Sequence, residues 1–344
     1  MWGHSMTIMA KEIASIPEVV ANQLEQTLAL YLAQGEHLRQ QQPNCLITCA
    51  RGSSDHAALF FKYLVESKLG VPVCSMGPSI ASIYGQPIVT KNASLIAVSQ
   101  SGGSKDLAAL CSKAAQSGLA TVALVNNTQS LLSKSAHTVL PIGAGEEKAV
   151  AATKTFVCSL VALASIFAGW AQDKDLIKAI HQLPSTLAIA LQNNWMPDFA
   201  KLAKAKGLFV ISRGPGIAIA HEAALKFKET CGLHAEAFSS AEVLHGPIAV
   251  AQSNFAALCF ATREEAGPGI LETIGHLRDA HVPVLETSFS AKRRGALPVT
   301  QAHHPLLDPI CQIVSFYRAV ESLSVQLGGD PDSPALLSKV TVTL

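Results

Sequence analysis

Two clusters of residues in this 344-residue sequence have the types and spacing that chemistry needs. The first is Ser99-Gln100-Ser101-Gly102-Gly103-Ser104, which follows the apolar run Ser94–Ser99 and leads into a helical stretch through Gln116. Serine hydroxyls and the unpaired N–H groups of a helix start can surround a phosphate, and the helix dipole favours its charge. Gly102 and Gly103 let the backbone approach the anion closely. No Lys-Ser or Lys-Thr pair completes a nucleoside-triphosphate loop and no GxGxxG fingerprint is present, so a small phosphoester fits better. A serine-rich N-cap without a ligand reads the same way from this loop alone. Gly52-Ser53-Ser54 ends an earlier strand and faces the same crevice with further hydroxyls. Thr153-Lys154 could face the ligand too, but reads equally as an ordinary helix start.

The second cluster is Glu222, Lys226, Lys228, Glu229, His234, Glu236, Glu242 and His245. Glu222, Lys226 and Glu229 share one helical face by their i, i+4 and i+7 spacing. His245 precedes Gly246-Pro247 and is therefore held on a turn. Histidine titrates near neutrality and a glutamate can be tuned there by burial, the pairing that proton shuttling on a sugar requires. An exposed, salt-bridged helix face accounts for Glu222 and Lys226 without any function. Metal binding has no support: His303-His304 lacks a partner at ligand spacing, and the eight cysteines contain no CxxC pair and read as reduced core residues. No G-x-S-x-G elbow points to a serine hydrolase.

The elements that must position these residues alternate between strand and helix. Apolar runs at Cys45–Ala50, Ser94–Ser99 and Thr121–Val125 are each followed by a loop, with helices after the first two. That alternation predicts an α/β protein with parallel sheets covered on both faces. The grammar restarts at Leu208–Gly214, which matches Leu46–Gly52, and continues with strands at Phe255–Ala261 and Val282–Thr287. The expectation is therefore two doubly wound, flavodoxin-like domains related by an internal repeat. Residues 1–195 form a helical lead from about Met6 to Gln42 and the first domain, 196–327 the second, and 328–344 a tail that contributes to the active site. Thr155–Gln172 is 18 residues without a charge and reads as a core or subunit-interface helix rather than a membrane span. With a formal charge of +1 and only 15% charged residues, the chain lacks the basic surface that nucleic acid or an anionic membrane demands. Lys292-Arg293-Arg294 reads as a solvated loop. No secretory signal is visible, which makes the cytoplasm the expected location.

Taken in order, these segments resemble the sugar isomerase (SIS) family, and within it the isomerase module of glucosamine-6-phosphate synthases and their stand-alone deaminase relatives. The resemblance rests on Met9-Ala10-Lys11-Glu12-Ile13 with Ile16-Pro17-Glu18, Arg51-Gly52-Ser53-Ser54, Ser99-Gln100-Ser101-Gly102 and Ala151-Ala152-Thr153-Lys154. It continues through Glu222–Glu229, His234-Ala235-Glu236-Ala237, His245-Gly246-Pro247 and Lys339-Val340-Thr341-Val342. It implies that Ser54, Ser99, Gln100, Ser101 and Ser104 bind the sugar phosphate and adjacent hydroxyls, and that Val150 and Ala151 contact the ligand through backbone. It implies that Glu229 moves a proton between C1 and C2, with Lys226 near the sugar and Lys339 arriving on the tail. His245 would open the pyranose ring from the neighbouring subunit of a homodimer.

The chain departs from the synthase pattern at Ala152, where the synthase has Ser, and at Gly103-Ser104, where it has Glu-Thr; the tail is one residue shorter after Lys339. The chain begins almost where the isomerase module should, without a glutaminase domain as ammonia source. The expected net reaction therefore runs toward release: glucosamine 6-phosphate and water give fructose 6-phosphate and ammonia. No metal or organic cofactor is implied, the amine itself activating the adjacent C–H. Galactosamine-6-phosphate deaminase/isomerase and fructosamine-6-phosphate deglycase activities share the same site, and a non-catalytic phosphosugar sensor is the alternative of another class.

Overall fold

The computed structural model describes residues 6–251, 254–290, 293 and 295–339. Met1–Ser5, Lys292 and Arg294 of the basic stretch, and Val340, Thr341 and Val342 of the tail motif lie outside the described residues. Contacts divide the chain into two compact units: Glu18–Glu147 with Lys154–His181, and residues up to Pro17 with Lys148–Thr153 and Gln182–Lys339. Among the described residues, ten strands make two wholly parallel five-stranded sheets.

The helical lead consists of two helices, α1 (Ile8–Ala14) and α2 (Ile16–Gln41). Pro17 at the second position of α2 has no N–H to continue an earlier helix, while fitting a new first turn. The first sheet contains β1 (Cys45–Cys49), β2 (Val73–Ser75), β3 (Ala93–Ser99), β4 (Ala120–Val125) and β5 (Thr138–Pro141) in the order β2-β1-β3-β4-β5. Every residue of the central strand β3 is buried, as an apolar run covered on both faces should be. Helices α3 (Ser53–Leu69), α4 (Ser79–Ser82) and α5 (Lys105–Gln116) link these strands. The core on one face joins Leu95 and Ala97 to Leu107, Leu110 and Cys111 of α5.

The uncharged run expected as a core helix is α6 (Lys154–Ala171), buried at all positions but Gly169 and Ala171. It is long and apolar enough to cross a membrane, yet 89% of it is buried inside the protein. It crosses α2 at glycines: a Cβ on Gly35 would sit 2.1 Å from the Ile166 carbonyl oxygen, and one on Gly169 would sit 2.4 Å from that of Leu32. Only residues without a side chain permit backbones this close.

After α7 (Lys174–Ala190) and the short α8 (Met196–Phe199), the second sheet contains β6 (Gly207–Ser212), β7 (Ala235–Ser239), β8 (Phe255–Cys259), β9 (Val284–Ser288) and β10 (Leu297–Pro298). Its order, β10-β9-β8-β6-β7, is the first sheet's order when each is counted from its own first strand. Helices α9 (Gly216–Cys231), α10 (Gly267–Asp279) and α11 (Asp308–Gln326) complete this unit. Arg293, expected in a solvated loop, instead places its Nε and Nη2 2.5 and 2.7 Å from the carboxylate of Glu286, which is 2% exposed. A buried carboxylate requires such a partner. All eight cysteines are unpaired.

Candidate functional site

In the first sheet β1 and β3 are neighbours, but β1 leads outward to β2 while β3 leads the other way to β4. Doubly wound sheets bind ligands in the crevice at such a switch point, outside the carboxyl ends of the strands. Ser54, the second residue of α3, and Ser99–Ser104, between β3 and α5, flank this crevice. The loop is anchored by backbone: Asn126 N–H donates to the Gln100 carbonyl at 3.2 Å, and Leu132 N–H to that of Gly102 at 3.0 Å. Gly102 has φ +63°, and a Cβ there would lie 2.1 Å from Ser130 Oγ, so glycine is required on both counts.

The hydroxyls in this loop are oriented by what they accept. Ser99 Oγ accepts the Gly102 N–H at 3.1 Å, and Ser101 Oγ accepts the Gly103 N–H at 3.2 Å. Their O–H protons have no acceptor among the described residues, which leaves them as donors, the complement of a phosphate oxygen. Ser104 occupies the N-cap position of α5, yet its side chain makes no capping bond. An ordinary serine cap would have spent that hydroxyl on the helix. Asp106, 1% exposed in the first turn, accepts from the Leu107 N–H at 2.8 Å and pairs with the Arg51 guanidinium, whose Nε lies 2.8 Å away. Arg51 offsets the carboxylate that would otherwise oppose an anion at this helix start. Neither role was visible in the sequence, where Arg51 and Asp106 are 55 residues apart.

In the other unit, α9 presents Glu222, Lys226 and Glu229 along one face, as their spacing predicts. They are not an exposed salt-bridged face: Glu222 and Lys226 are both fully buried. Lys226 Nζ lies 3.3 Å from Glu222 Oε1 and donates to Glu229 Oε2. The Tyr317 hydroxyl of α11 donates to Glu222 Oε1 at 3.0 Å. Phe227 on α9 meets Phe316 on α11 edge to face at 5.3 Å, and both pack on Phe199 of α8. That aromatic contact holds the two helices where Tyr317 reaches Glu222. Burial alone works to lower the Lys226 pKa and is the largest single effect, but Glu222 and Glu229 outweigh it and raise it above lysine's usual value. The ammonium thus stays charged and fixes Glu229, whose side chain keeps 21% of its surface exposed. Tyr317 was missed by sequence reasoning; a lone hydroxyl-bearing ring in an apolar helix was its only signal.

Of the remaining expected residues, all but Lys154 fall in this same unit. His245 ends a short 3-10 turn, Glu242–His245, and is exposed, with no hydrogen bond to the described residues. His234 and Glu236 are exposed, 4.0 Å apart, and do not join the buried group. Ala151 is buried, while the Val150 N–H is taken by the Asp332 carbonyl at 3.0 Å, so a ligand would meet Val150 through its carbonyl oxygen. Lys339 Nζ donates to the Ala149 carbonyl at 2.6 Å, placing the tail lysine on the same segment. Thr153 is buried, and Lys154 begins α6 and donates to the Glu146 carbonyl. Among the described residues no group of three or more His, Cys, Asp or Glu could hold a metal ion.

Comparison with known proteins places these features among relatives. The SIS domain family model matches residues 39–168. Glutamine–fructose-6-phosphate aminotransferases (isomerizing) from Zymomonas mobilis and Clostridium tetani are 28% and 30% identical over 99% and 97% of the chain. The chain spans 60% and 59% of the length of these two relatives. A crystal structure from Silicibacter pomeroyi, provisionally assigned as a phosphosugar isomerase, is 41% identical, with TM-score 0.90, 95% of this chain and 100% of that chain covered. The C-terminal domain of glucosamine-fructose-6-phosphate aminotransferase from Francisella tularensis shares the fold at TM-score 0.84 and 22% identity, over 97% of this chain and all of that one.

Proposed function

This chain is a member of the SIS domain family, and we propose that it is an isomerising deaminase that converts glucosamine 6-phosphate and water to fructose 6-phosphate and ammonia. The observation that carries the reading is Glu229: a carboxylate pinned by a buried, charged lysine while part of it stays open to solvent. A general base must be held still and remain reachable, and this arrangement supplies both. The hydroxyls of Ser99 and Ser101, whose protons are left to donate, are assigned with Ser104, Ser54 and Gln100 to the phosphate and adjacent hydroxyls. Val150 and Ala151 are assigned backbone contacts, and Lys226 and Lys339 the charges that steady the reacting end.

In the open-chain sugar, Glu229 takes the C2 proton; the electrons move toward C1 and its oxygen is protonated, giving an enolamine. Return of the proton to C1 leaves a ketimine at C2, and water adds to that carbon and expels ammonia. His245 opens the ring beforehand. Because it is exposed in its own chain, we assign it to the site of a neighbouring subunit in a homodimer. The eight unpaired cysteines agree with a reducing, cytoplasmic setting.

The test is direct. The protein is incubated with glucosamine 6-phosphate, galactosamine 6-phosphate and fructosamine 6-phosphates, and ammonia or free amine is measured together with ketose phosphate. Ammonia and fructose 6-phosphate from the first substrate are expected. Preference for the second or third reassigns the substrate within the same chemistry, and tight binding without turnover of any establishes a sensor instead.

A further inference from the structure

Three consecutive backbone N–H groups, those of Lys148, Ala149 and Val150, are all spent on two acidic residues far away in sequence. Glu12 of α1 is 7% exposed, and its two carboxylate oxygens accept from Lys148 N–H at 2.6 Å and Ala149 N–H at 3.3 Å. Asp332 accepts the third, from Val150, on its backbone carbonyl. The Asp332 carboxylate accepts from Ile8 N–H at 2.8 Å and Met9 N–H at 2.7 Å, the first residues of α1. Helix and tail thereby both hold the segment, and Lys339 closes the grip on the Ala149 carbonyl. The Val150 carbonyl has no donor among the described residues.

We propose that Glu12 is a positioning residue that fixes the Lys148–Val150 strap so that the Val150 carbonyl accepts a hydroxyl of the sugar. This rests on the function proposed above, in which that segment meets the ligand through backbone. A carboxylate suits the task because both its oxygens accept, whereas an amide can satisfy only one of two adjacent N–H groups and turns a donor toward the other. The helix that carries Glu12 is secured independently of it. Thr7 Oγ1 accepts the Ala10 N–H at 3.0 Å and donates to Glu321 at 2.7 Å, and Met9 and Ile13 are buried. Glu12→Gln therefore disturbs the strap and leaves α1 in place.

The experiment compares wild type with Glu12→Gln in three measurements: kinetics with glucosamine 6-phosphate, the dissociation constant of inorganic phosphate, and amide hydrogen exchange at Lys148 and Ala149. Expected are a KM raised about tenfold with kcat within threefold, phosphate affinity within twofold, and exchange at least tenfold faster at the two amides alone. Unchanged exchange overturns the grip, and unchanged KM overturns its purpose. A parallel loss of phosphate affinity overturns it too, since that marks a general structural defect. Should Glu12→Gln not fold, Glu12→Asp, which keeps both acceptors but withdraws them by one methylene, is expected to raise KM less; a wild-type KM there overturns the proposal. If wild type neither turns over nor binds any amino-sugar phosphate, the proposed function fails, while the exchange measurement still decides the grip.

Discussion

The loops that follow β3 and β8 leave the carboxyl ends of equivalently ordered strands and enter helices α5 and α10, yet they have opposite chemistry. After β3, hydroxyls are left as donors and the first turn is balanced by Arg51. After β8 the polar groups are consumed locally. Arg263 forks onto Asp308 at 2.6 and 2.8 Å and also donates to the Ala302 carbonyl, Thr262 Oγ1 accepts the Glu264 N–H, and Gly267 N–H goes to the Glu264 carbonyl. Pro268 then removes one more N–H from the helix start. A repeated topology thus supplies two equivalent crevices, and side chains decide which one can hold an anion. The second unit draws its chemistry from the face of α9 instead, where burial rather than exposure organises the charges.

Variants can break or sharpen this contrast. The largest effect is expected from Glu229→Gln, which should lower kcat by about 10²- to 10⁴-fold, the worth of a positioned general base, with phosphate binding intact. Steady-state kinetics beside calorimetry check this; retained turnover would place the base elsewhere. Lys226→Met leaves Glu222 and Glu229 facing each other without their cation and should cost about 3–5 kcal/mol in thermal or urea unfolding. Because the folded pKa of Lys226 lies above 10.5, its stabilisation is complete below that pH and is lost as pH rises through the folded value. The gap between wild type and variant should accordingly stay level from neutral pH to about 9 and close only in strong alkali.

Gly102→Ala meets both a positive φ and Ser130, and should destabilise by about 1–3 kcal/mol while weakening phosphate affinity. Ser101→Ala should weaken phosphate binding by about tenfold to a hundredfold, the loss of one hydrogen bond to a charged group. The matching control is Arg263→Gln in the other loop. It should lower the melting temperature through Asp308 without moving KM; a KM effect equal to that of Ser101→Ala would end the contrast between the two crevices.

What the sequence made legible follows from how local each feature is. The serine loop and the central strands were readable because their signals lie within a few consecutive residues. The spacing of Glu222, Lys226 and Glu229 gave the shared face but not its burial, because Tyr317 lies 95 residues from its partner Glu222. Strands β2 and β10 span only three and two residues, too short to carry a pattern. Glu12 and Asp332 act across 136 and 323 residues, on the strap and on Met9, so nothing near them announces the role.

The all-round apolar character of α6 also bears on how the chain is made. A segment like this, left uncovered as it emerges from the ribosome, is what chaperones and membrane-insertion machinery capture. Its covering partners α2 and α3 both precede it in the sequence, and the glycine crossing between Gly35 and Gly169 forms with the earlier of them. Chain order therefore acts as a safeguard: the shelter is synthesised before the segment that needs it.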